Sequence, residues 1–322
     1  MNPKKQVLAV KDLSVEYRQK VLRQISFEVY KGEILGLVGE SGSGKSSLIR
    51  AVTGLLNEGG KVTEGEVLFH GTEILGLQKD KLRSIRGNEI ATVFQNPAGF
   101  LNPTRKIRKH FIETVRSHEK TSKIDACSRA LSIFEKLDLK DGKRILDSYP
   151  FELSGGMNQR VAIALSMVLE PDLLLADEPT SALDLTIQDQ VIDEFLRLRD
   201  VLGTAIVIVT HNMGVVAKAA DRVGVVYDGE IVEIGDANKI LKDPLHPYTI
   251  GLMDSVPTYK NKKIKSIPLK NDDVKRPVEG CRFAPRCTYA SERCFKEKQI
   301  LRKNQEDHYC RCMRVEEINV NK

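Results

Sequence analysis

The sequence predicts an α/β fold: a mainly parallel sheet with an antiparallel edge, an inserted helical section and a small cysteine-bearing tail. Near-continuous apolar runs at Ile34-Leu35-Gly36-Leu37-Val38, Leu173-Leu174-Leu175-Ala176 and Ala205-Ile206-Val207-Ile208-Val209 have the length and β-branched content of strands buried on both faces. The stretch from Val7 to Tyr30 alternates apolar and polar residues in two runs, as half-buried antiparallel strands do. From Pro97 to about Ser148 the spacing turns helical and highly charged, and strand signals return only afterwards.

Taken in order, the two alternating strands come first and the turn Lys31-Gly32 leads into the first buried strand. The helical insertion interrupts the alternation of strands and helices before the second and third buried runs. Short strands follow around Val223 to Val226 and Glu230 to Ile234, then a helix start near Asp236, with Pro244 and Pro247 marking an exit. A linker with Pro257, Pro268 and Pro277 leads into the tail, and no internal repeat stands out. The expected units are residues 4–243, with a helical subdomain at about 97–170, and an extension at 244–322.

At 322 residues the chain accommodates one large domain with an appendage, or two modest domains with good cores. Hydrophobic residues make up 41% and charged residues 29%, an ordinary globular balance that excludes a low-complexity or collagen-like chain. No stretch approaches the roughly 18 consecutive apolar residues of a membrane span, and Met1-Asn2-Pro3-Lys4-Lys5 runs into strand-like sequence rather than an apolar signal core. The chain is therefore expected to stay in the cytosol. Of the net charge of +6, the segment from Tyr259 to Lys322 carries +8, with seventeen Lys and Arg against nine Asp and Glu, and the rest carries −2. Tyr259, Phe283, Tyr289, Phe295 and Tyr309 are not interleaved with that charge as a base-stacking platform would be, so no nucleic-acid partner is expected.

Gly39-Glu40-Ser41-Gly42-Ser43-Gly44-Lys45-Ser46 matches G-x-x-x-x-G-K-[ST] directly after the first buried strand. It directly precedes the helical apolar spacing Leu48, Ile49, Val52, Leu55, Leu56. Glycines at 39, 42 and 44 let successive N–H groups, with Ser41, Ser43 and Ser47 alongside, wrap a phosphate, and the helix presents its positive end to the same anion. Lys45 is expected to reach the β- and γ-phosphates and the Ser46 hydroxyl to ligate Mg²⁺. The bland alternative is a flexible Gly/Ser turn with an incidental lysine, which the flanking strand and helix disfavour.

The second buried strand ends in Asp177-Glu178, at the carboxyl edge of the sheet where ligands of open α/β folds sit. Asp177 is placed to hold Mg²⁺ through water, and Glu178 to polarise an attacking water. A mere cap on the turn at Pro179-Thr180 is the alternative for the pair. The third strand delivers His211 to the same edge, where a lone histidine is more often structural.

Leu153-Ser154-Gly155-Gly156-Met157 opens a further helix, with apolar spacing through Val161, Ala164, Leu165 and Val168. It resembles the signature motif of ATP-binding-cassette ATPases. Phosphate loop, Gln95, signature, Asp177-Glu178, Ser181-Ala182-Leu183-Asp184 and His211 stand in that family's order, and the resemblance covers essentially the whole chain. It implies an ABC nucleotide-binding domain of the P-loop NTPase class, with a RecA-like core. It further implies that two ATPase domains sandwich two nucleotides, each Ser154-Gly155-Gly156 helix tip meeting the γ-phosphate held by the other domain. Gln95 resembles the loop glutamine that senses Mg²⁺ and water and links the site to membrane subunits. Asp184 resembles the residue that communicates across the dimer, His211 the γ-phosphate switch, and Tyr17 the aromatic on which adenine stacks.

Several strings are similar to the oligopeptide and dipeptide importer branch, which includes nickel importers: Phe94-Gln95-Asn96-Pro97, Leu101-Asn102-Pro103-Thr104, Thr186-Ile187-Gln188 and His246-Pro247-Tyr248-Thr249. The extension continues as Gly280-Cys281-Arg282-Phe283-Ala284-Pro285-Arg286-Cys287. Asn96 and Asn212 replace the branch's usual acidic residues, and Asn158 an often basic one. Clustered cysteines in a cytosolic chain favour a metal or thiol role over disulfides, though none forms a C-x-x-C pair. The resemblance implies a [4Fe-4S] cluster on Cys281, Cys287, Cys294 and Cys310, with zinc as an alternative metal and Cys312 as an alternative to Cys310. Cys127 reads as a small core residue.

The implied function is ATP-driven import of oligopeptides or dipeptides, with nickel as the alternative cargo. The implied partners are two transmembrane permease subunits, a second ABC ATPase and an extracytoplasmic solute-binding protein, at the cytoplasmic face of the membrane. The competing classes are a soluble cassette ATPase working on DNA or the ribosome, and a regulatory module without turnover. One cassette without sustained heptads disfavours the first, and intact Glu178 and His211 disfavour the second.

Overall fold

The first two strands, β1 (Gln6–Glu16) and β2 (Lys20–Tyr30), pair antiparallel with Leu8 opposite Val29 and Val10 opposite Phe27; burial alternates along much of β2, whereas β1 buries residues 7–10 and 13–15 in unbroken runs, with both faces covered. The computed structural model describes residues 5–95, 97–181, 184–255 and 277–320. Asn96, Ala182, Leu183 and the linker residues Pro257, Tyr259 and Pro268 lie outside the described residues.

From β2 the chain enters β3 (Ile34–Val38), buried at every position, and then α1 (Lys45–Val52). It returns to the edge sheet as β4 (Lys61–Phe69) and β5 (Thr72–Glu73), giving the four-stranded order β2-β1-β4-β5. Helix α2 (Lys79–Ile85) leads to β6 (Ile90–Val93), after which α3 (Ile107–His118), α4 (Lys123–Lys136), α5 (Gly142–Asp147) and α6 (Gly155–Met167) run without a strand between them.

The chain then returns to the sheet. The strands β7 (Leu173–Asp177), β8 (Ala205–Thr210), β9 (Arg222–Tyr227) and β10 (Glu230–Asp236) are separated by α7 (Leu185–Arg197) and α8 (Met213–Ala219). Helices α9 (Ala237–Lys242) and α10 (Pro247–Asp254) follow. The tail adds α11 (Glu292–Lys296), β11 (Arg302–Gln305), β12 (His308–Cys310) and α12 (Val315–Val320).

The main sheet has the order β11-β12-β10-β9-β3-β8-β7-β6, with β9, β3, β8, β7 and β6 mutually parallel. The apolar runs read as continuous because both faces are covered. Leu174, Ala176, Ile206 and Ile208 face the helical section, in one core with Phe111, Phe134, Val161 and Phe195. Their neighbours Leu173, Leu175, Val207 and Val209 face α1 and the antiparallel sheet, in a second core with Leu8, Leu13, Ile25 and Leu48.

The tail is sewn into this sheet rather than hung from it. Strand β12 pairs antiparallel with β10, Glu233 opposite Cys310. The buried Glu233 carboxylate takes the backbone N–H groups of Leu245 and His246 at 2.8 and 2.9 Å and the His308 Nε2 at 2.7 Å. The exit segment at 245–246 and the tail strand therefore converge on one sheet residue. Among the described residues no helix is long and apolar enough to cross a membrane.

Candidate nucleotide site

The turn from β3 to α1 wraps the loop that the motif predicts. Gly44 caps α1 at φ +102°, a backbone that L side chains rarely adopt, and a Cβ there would fall 2.8 Å from the Leu22 side chain. Lys45 is buried and turns back on its own loop, its Nζ donating to the Gly39 and Glu40 carbonyls at 2.8 and 3.0 Å and reaching the Ser43 Oγ at 3.4 Å. Burial lowers its pKa, while the carboxylates of Glu178, Asp177 and Glu40 pull the other way. Such an ammonium, directly hydrogen-bonded to neutral carbonyls at the start of a helix, is placed to take an anion.

Across from it, the Ser46 hydroxyl donates to the Asp177 carboxylate at 2.9 Å. Asp177 is buried, which raises its pKa, with the Ser46 hydrogen bond opposing. A hydroxyl and a carboxylate side by side in this way form an oxygen donor set suited to a hard divalent cation. The next residue, Glu178, stands at φ +50°, an uncommon conformation for a side-chain-bearing residue. Its N–H is anchored on the Val209 carbonyl at 2.8 Å, and its carbonyl accepts from the Ser181 hydroxyl at 3.0 Å. This pinned turn delivers its carboxylate to His211 Nδ1.

Val21, Ser41, Gly42, Gly44, Lys45, Ser46, Ser47, Gln95, Glu178 and His211 line one open cleft of about 440 Å³. Gly39 and Ser43 join it through Lys45, and Asp177 through Ser46. Lys45, Ser46, Gln95, Asp177, Glu178 and His211, far apart in sequence, thus share one sheet edge. Val21, on β2, is a lining residue that the sequence reading did not single out; its place follows from the strand passing over the loop at Gly44.

The remaining predicted residues lie outside this cleft. Ser154 caps α6 by accepting from the Met157 N–H at 3.2 Å and is exposed, as is Gly155. Gly156 packs on α7, where a Cβ would fall 2.8 Å from the Ile187 side chain. Asp184 caps α7 through the Ile187 N–H at 3.0 Å and is exposed. Tyr17 lies against Gly60 and the second core, with its hydroxyl buried and unpartnered. Helix α6 is further fixed by Arg160, which binds the buried Glu194 carboxylate of α7 and the Leu137 carbonyl. The sequence reading missed that pair, because an Arg and a Glu on two helices read as surface charge until packing buries them.

In the tail, Cys281, Cys287, Cys294 and Cys312 line one cavity with His246 and Phe283. Cys310, expected in that set, is instead buried on β12 with Leu245 and Val315. Strand β12 ends at Cys310, and the chain leaves the sheet there, which frees Cys312 from the strand's facing and brings it to the cavity. Burial pushes the Cys281 thiol up to about 12 and the Cys312 thiol up to about 11. All six cysteines are free thiols. Among the described residues no three His, Cys, Asp or Glu side chains are gathered tightly enough to hold a single metal ion.

Against known proteins, residues 22–181 match the ABC transporter family model and residues 232–294 the model of the oligopeptide/dipeptide transporter C-terminal region. The dipeptide transport ATP-binding protein DppD of Lactococcus lactis is 41% identical over 91% of this chain and 86% of its own length. The oligopeptide transport ATP-binding protein OppD of Bacillus subtilis is 40% identical over 94% of this chain and 87% of its own. Among solved structures, the dimeric MJ0796, a bacterial ABC transporter cassette, superposes with a TM-score of 0.63 at 28% identity, covering 71% of this chain and 98% of that one. With both family models matched and relatives near 40% identity along almost its whole length, the chain belongs to the ABC transporter family, as an ATP-binding subunit carrying the oligopeptide/dipeptide transporter C-terminal region.

Proposed function

We propose that this subunit hydrolyses ATP to drive uptake of oligopeptides or dipeptides, docked on two membrane permease subunits at the cytoplasmic face and paired with a second ABC ATPase. An extracytoplasmic solute-binding protein would deliver the cargo to the same complex. The carrying observation is the convergence of Lys45, Ser46, Asp177, Glu178, His211 and Gln95 on one cleft, with the Ser154 helix tip outside it and exposed. The peptide assignment follows the relatives named for dipeptide and oligopeptide transport. Phe100 and Phe151, exposed on the helical section at 67% and 71%, are apolar contacts available to a permease.

In this reading Lys45 leaves the loop carbonyls to bind the β- and γ-phosphates, whose charge exceeds what carbonyls offer. Ser46 and Asp177, with Gln95, would hold Mg²⁺, which neutralises phosphate charge when bound. Glu178 orients the attacking water and His211 holds the Glu178 carboxylate toward the γ-phosphate. The partner cassette closes the site with Ser154, Gly155 and Gly156, and Asp184 reports across the dimer. Tyr17 offers the adenine a ring at the β1 end. Cells carrying the chain with its permeases should take up labelled dipeptide or short oligopeptide, and Glu178→Gln should abolish uptake. Nickel accumulation that depends on Glu178 while peptide uptake does not would overturn the cargo assignment.

The extension, residues 244–322, is the seat of a [4Fe-4S] cluster in the same reading. Among the described residues no three His, Cys, Asp or Glu ligands are gathered around a single point. The support for a cluster is that Cys281, Cys287, Cys294 and Cys312 share the lining of one cavity, as thiol ligands of a common group do. The Arg314 N–H reaches the Cys312 Sγ at 3.4 Å and the Ser291 hydroxyl lies 3.5 Å from the Cys294 Sγ, polar contacts of the kind that tune such sulfurs. Cys281, Cys287, Cys294 and Cys312 are the proposed ligands. Anaerobically purified protein should contain iron and sulfide, lost in Cys312→Ser and retained in Cys310→Ser. Zinc alone in a colourless preparation would overturn the assignment.

A further inference from the structure

The phosphate loop is held from behind by the C-terminal segment. Arg286, one residue before Cys287, places both guanidinium nitrogens on the Glu40 carboxylate, Nη1 to Oε2 at 2.9 Å and Nη2 to Oε1 at 2.8 Å. Glu40 is the second residue of the loop, and its carbonyl is one of the two that hold Lys45 Nζ. The guanidinium is only 7% exposed, lies 5.7 Å from the centres of both the Tyr227 and Phe283 rings, and donates to the Tyr227 hydroxyl at 3.3 Å. A second link acts on the same residue: the Glu40 N–H donates to the Tyr248 hydroxyl of α10 at 2.9 Å. Tyr248 packs on Tyr227 and Phe283, with ring centres 4.6 and 5.4 Å apart. Side chain and backbone of Glu40 are thus both gripped by residues beyond position 245, across an aromatic cluster that leaves Arg286 little freedom.

The chemistry of the loop explains why the grip matters. A carboxylate within the turn that must wrap a triphosphate adds a like charge to an anion site, and in a partly desolvated pocket that repulsion is large. Planar bidentate pairing with a guanidinium cancels the charge and fixes the peptide's orientation at once, which a lysine in the same place would not do. Removing one member of such a pair leaves the other uncompensated, which costs more than the pair contributes.

We propose that Arg286 is a positioning residue for ATP binding: by neutralising and orienting Glu40 it sets the phosphate loop, so the C-terminal segment is part of the nucleotide site's support. This rests on the cleft being the ATP site. Its test is Mg-ATP affinity and steady-state turnover on the full-length chain. Arg286→Met is expected to raise the ATP Kd and KM at least fivefold, with kcat at saturating ATP changed less than twofold. Adding Glu40→Gln to that variant, which deletes the stranded charge, is expected to bring Kd back to within twofold of wild type. Arg286→Lys should recover part of the loss and not all of it.

If Arg286→Met does not fold, Arg286→Gln takes its place with the same expectations. A single variant that binds ATP as wild type does, or a double variant as weak as the single, overturns the proposal. An effect confined to kcat and the thermal midpoint, with Kd unmoved, does so as well, since that is what a purely structural tail would produce. Failure of the wild-type chain to bind Mg-ATP would overturn the cleft's assignment instead.

Discussion

His211 Nδ1 lies within hydrogen-bond reach of both Glu178 carboxylate oxygens, at 2.9 and 2.8 Å, although the two residues leave different strands. Glu178 is 15% exposed and His211 60%, so the carboxylate sits at the bottom of the cleft and the imidazole at its mouth. The left-handed backbone of Glu178 costs on the order of 1–3 kcal/mol. A carboxylate held this way at the cleft floor, with an imidazole above it, has the geometry the proposed water-orienting role of Glu178 requires.

Replacing Glu178 with Gln is expected to keep ATP affinity within a few fold and lower turnover by about 10²–10⁴. An ATP-loaded, dimer-sized species should then accumulate in size-exclusion chromatography. Wild-type turnover in that variant would remove Glu178 from the chemistry.

Lys45→Ala acts earlier in the cycle. The buried ammonium is held by the carbonyls of Gly39 and Glu40. Losing its charge-assisted bonds to phosphate, each worth about 1.5–3 kcal/mol, should weaken ATP binding at least tenfold by titration calorimetry. Unchanged affinity would mean that the loop binds something other than the triphosphate.

Ser154→Arg separates binding from assembly. Ser154 lies outside the cleft, so the isolated chain should bind ATP as wild type does while ATP-induced dimer formation and hydrolysis disappear. Loss of monomer binding would place the signature tip at its own chain's nucleotide.

Burial of Glu194 against Arg160 gives a pH signature. Burial pushes its carboxyl from 4.5 up to about 7, with the Arg160 hydrogen bond opposing. Below about pH 4.5 both folded and unfolded chains hold the proton; between there and 7 the unfolded chain releases it first, so stability falls as pH rises. The slope is at most about 1.4 kcal/mol per pH unit. Thermal midpoints of Glu194→Gln should show a flatter decline from pH 5 to 7 than wild type, and an identical decline would assign the slope to another group.

The sheet and the cleft were legible because their signals are local: uninterrupted apolar strands, a glycine-lysine loop between strand and helix, and acidic or imidazole residues just past strand ends. Strands β11 and β12 were not, since Arg302–Gln305 is exposed throughout and His308–Cys310 is short; pairing with β10 decides their conformation. The choice between Cys310 and Cys312 likewise depends on where a three-residue strand ends. The Arg286 and Glu40 pair spans 246 positions, and no periodicity connects residues so distant.

The exposed Ser154 cap has an economic side for the cell. In the proposed reading a lone copy can load nucleotide but lacks the second tip, supplied by another cassette, that would complete the reaction. Consumption of fuel would then follow the encounter of two cassettes, without any dedicated inhibitor.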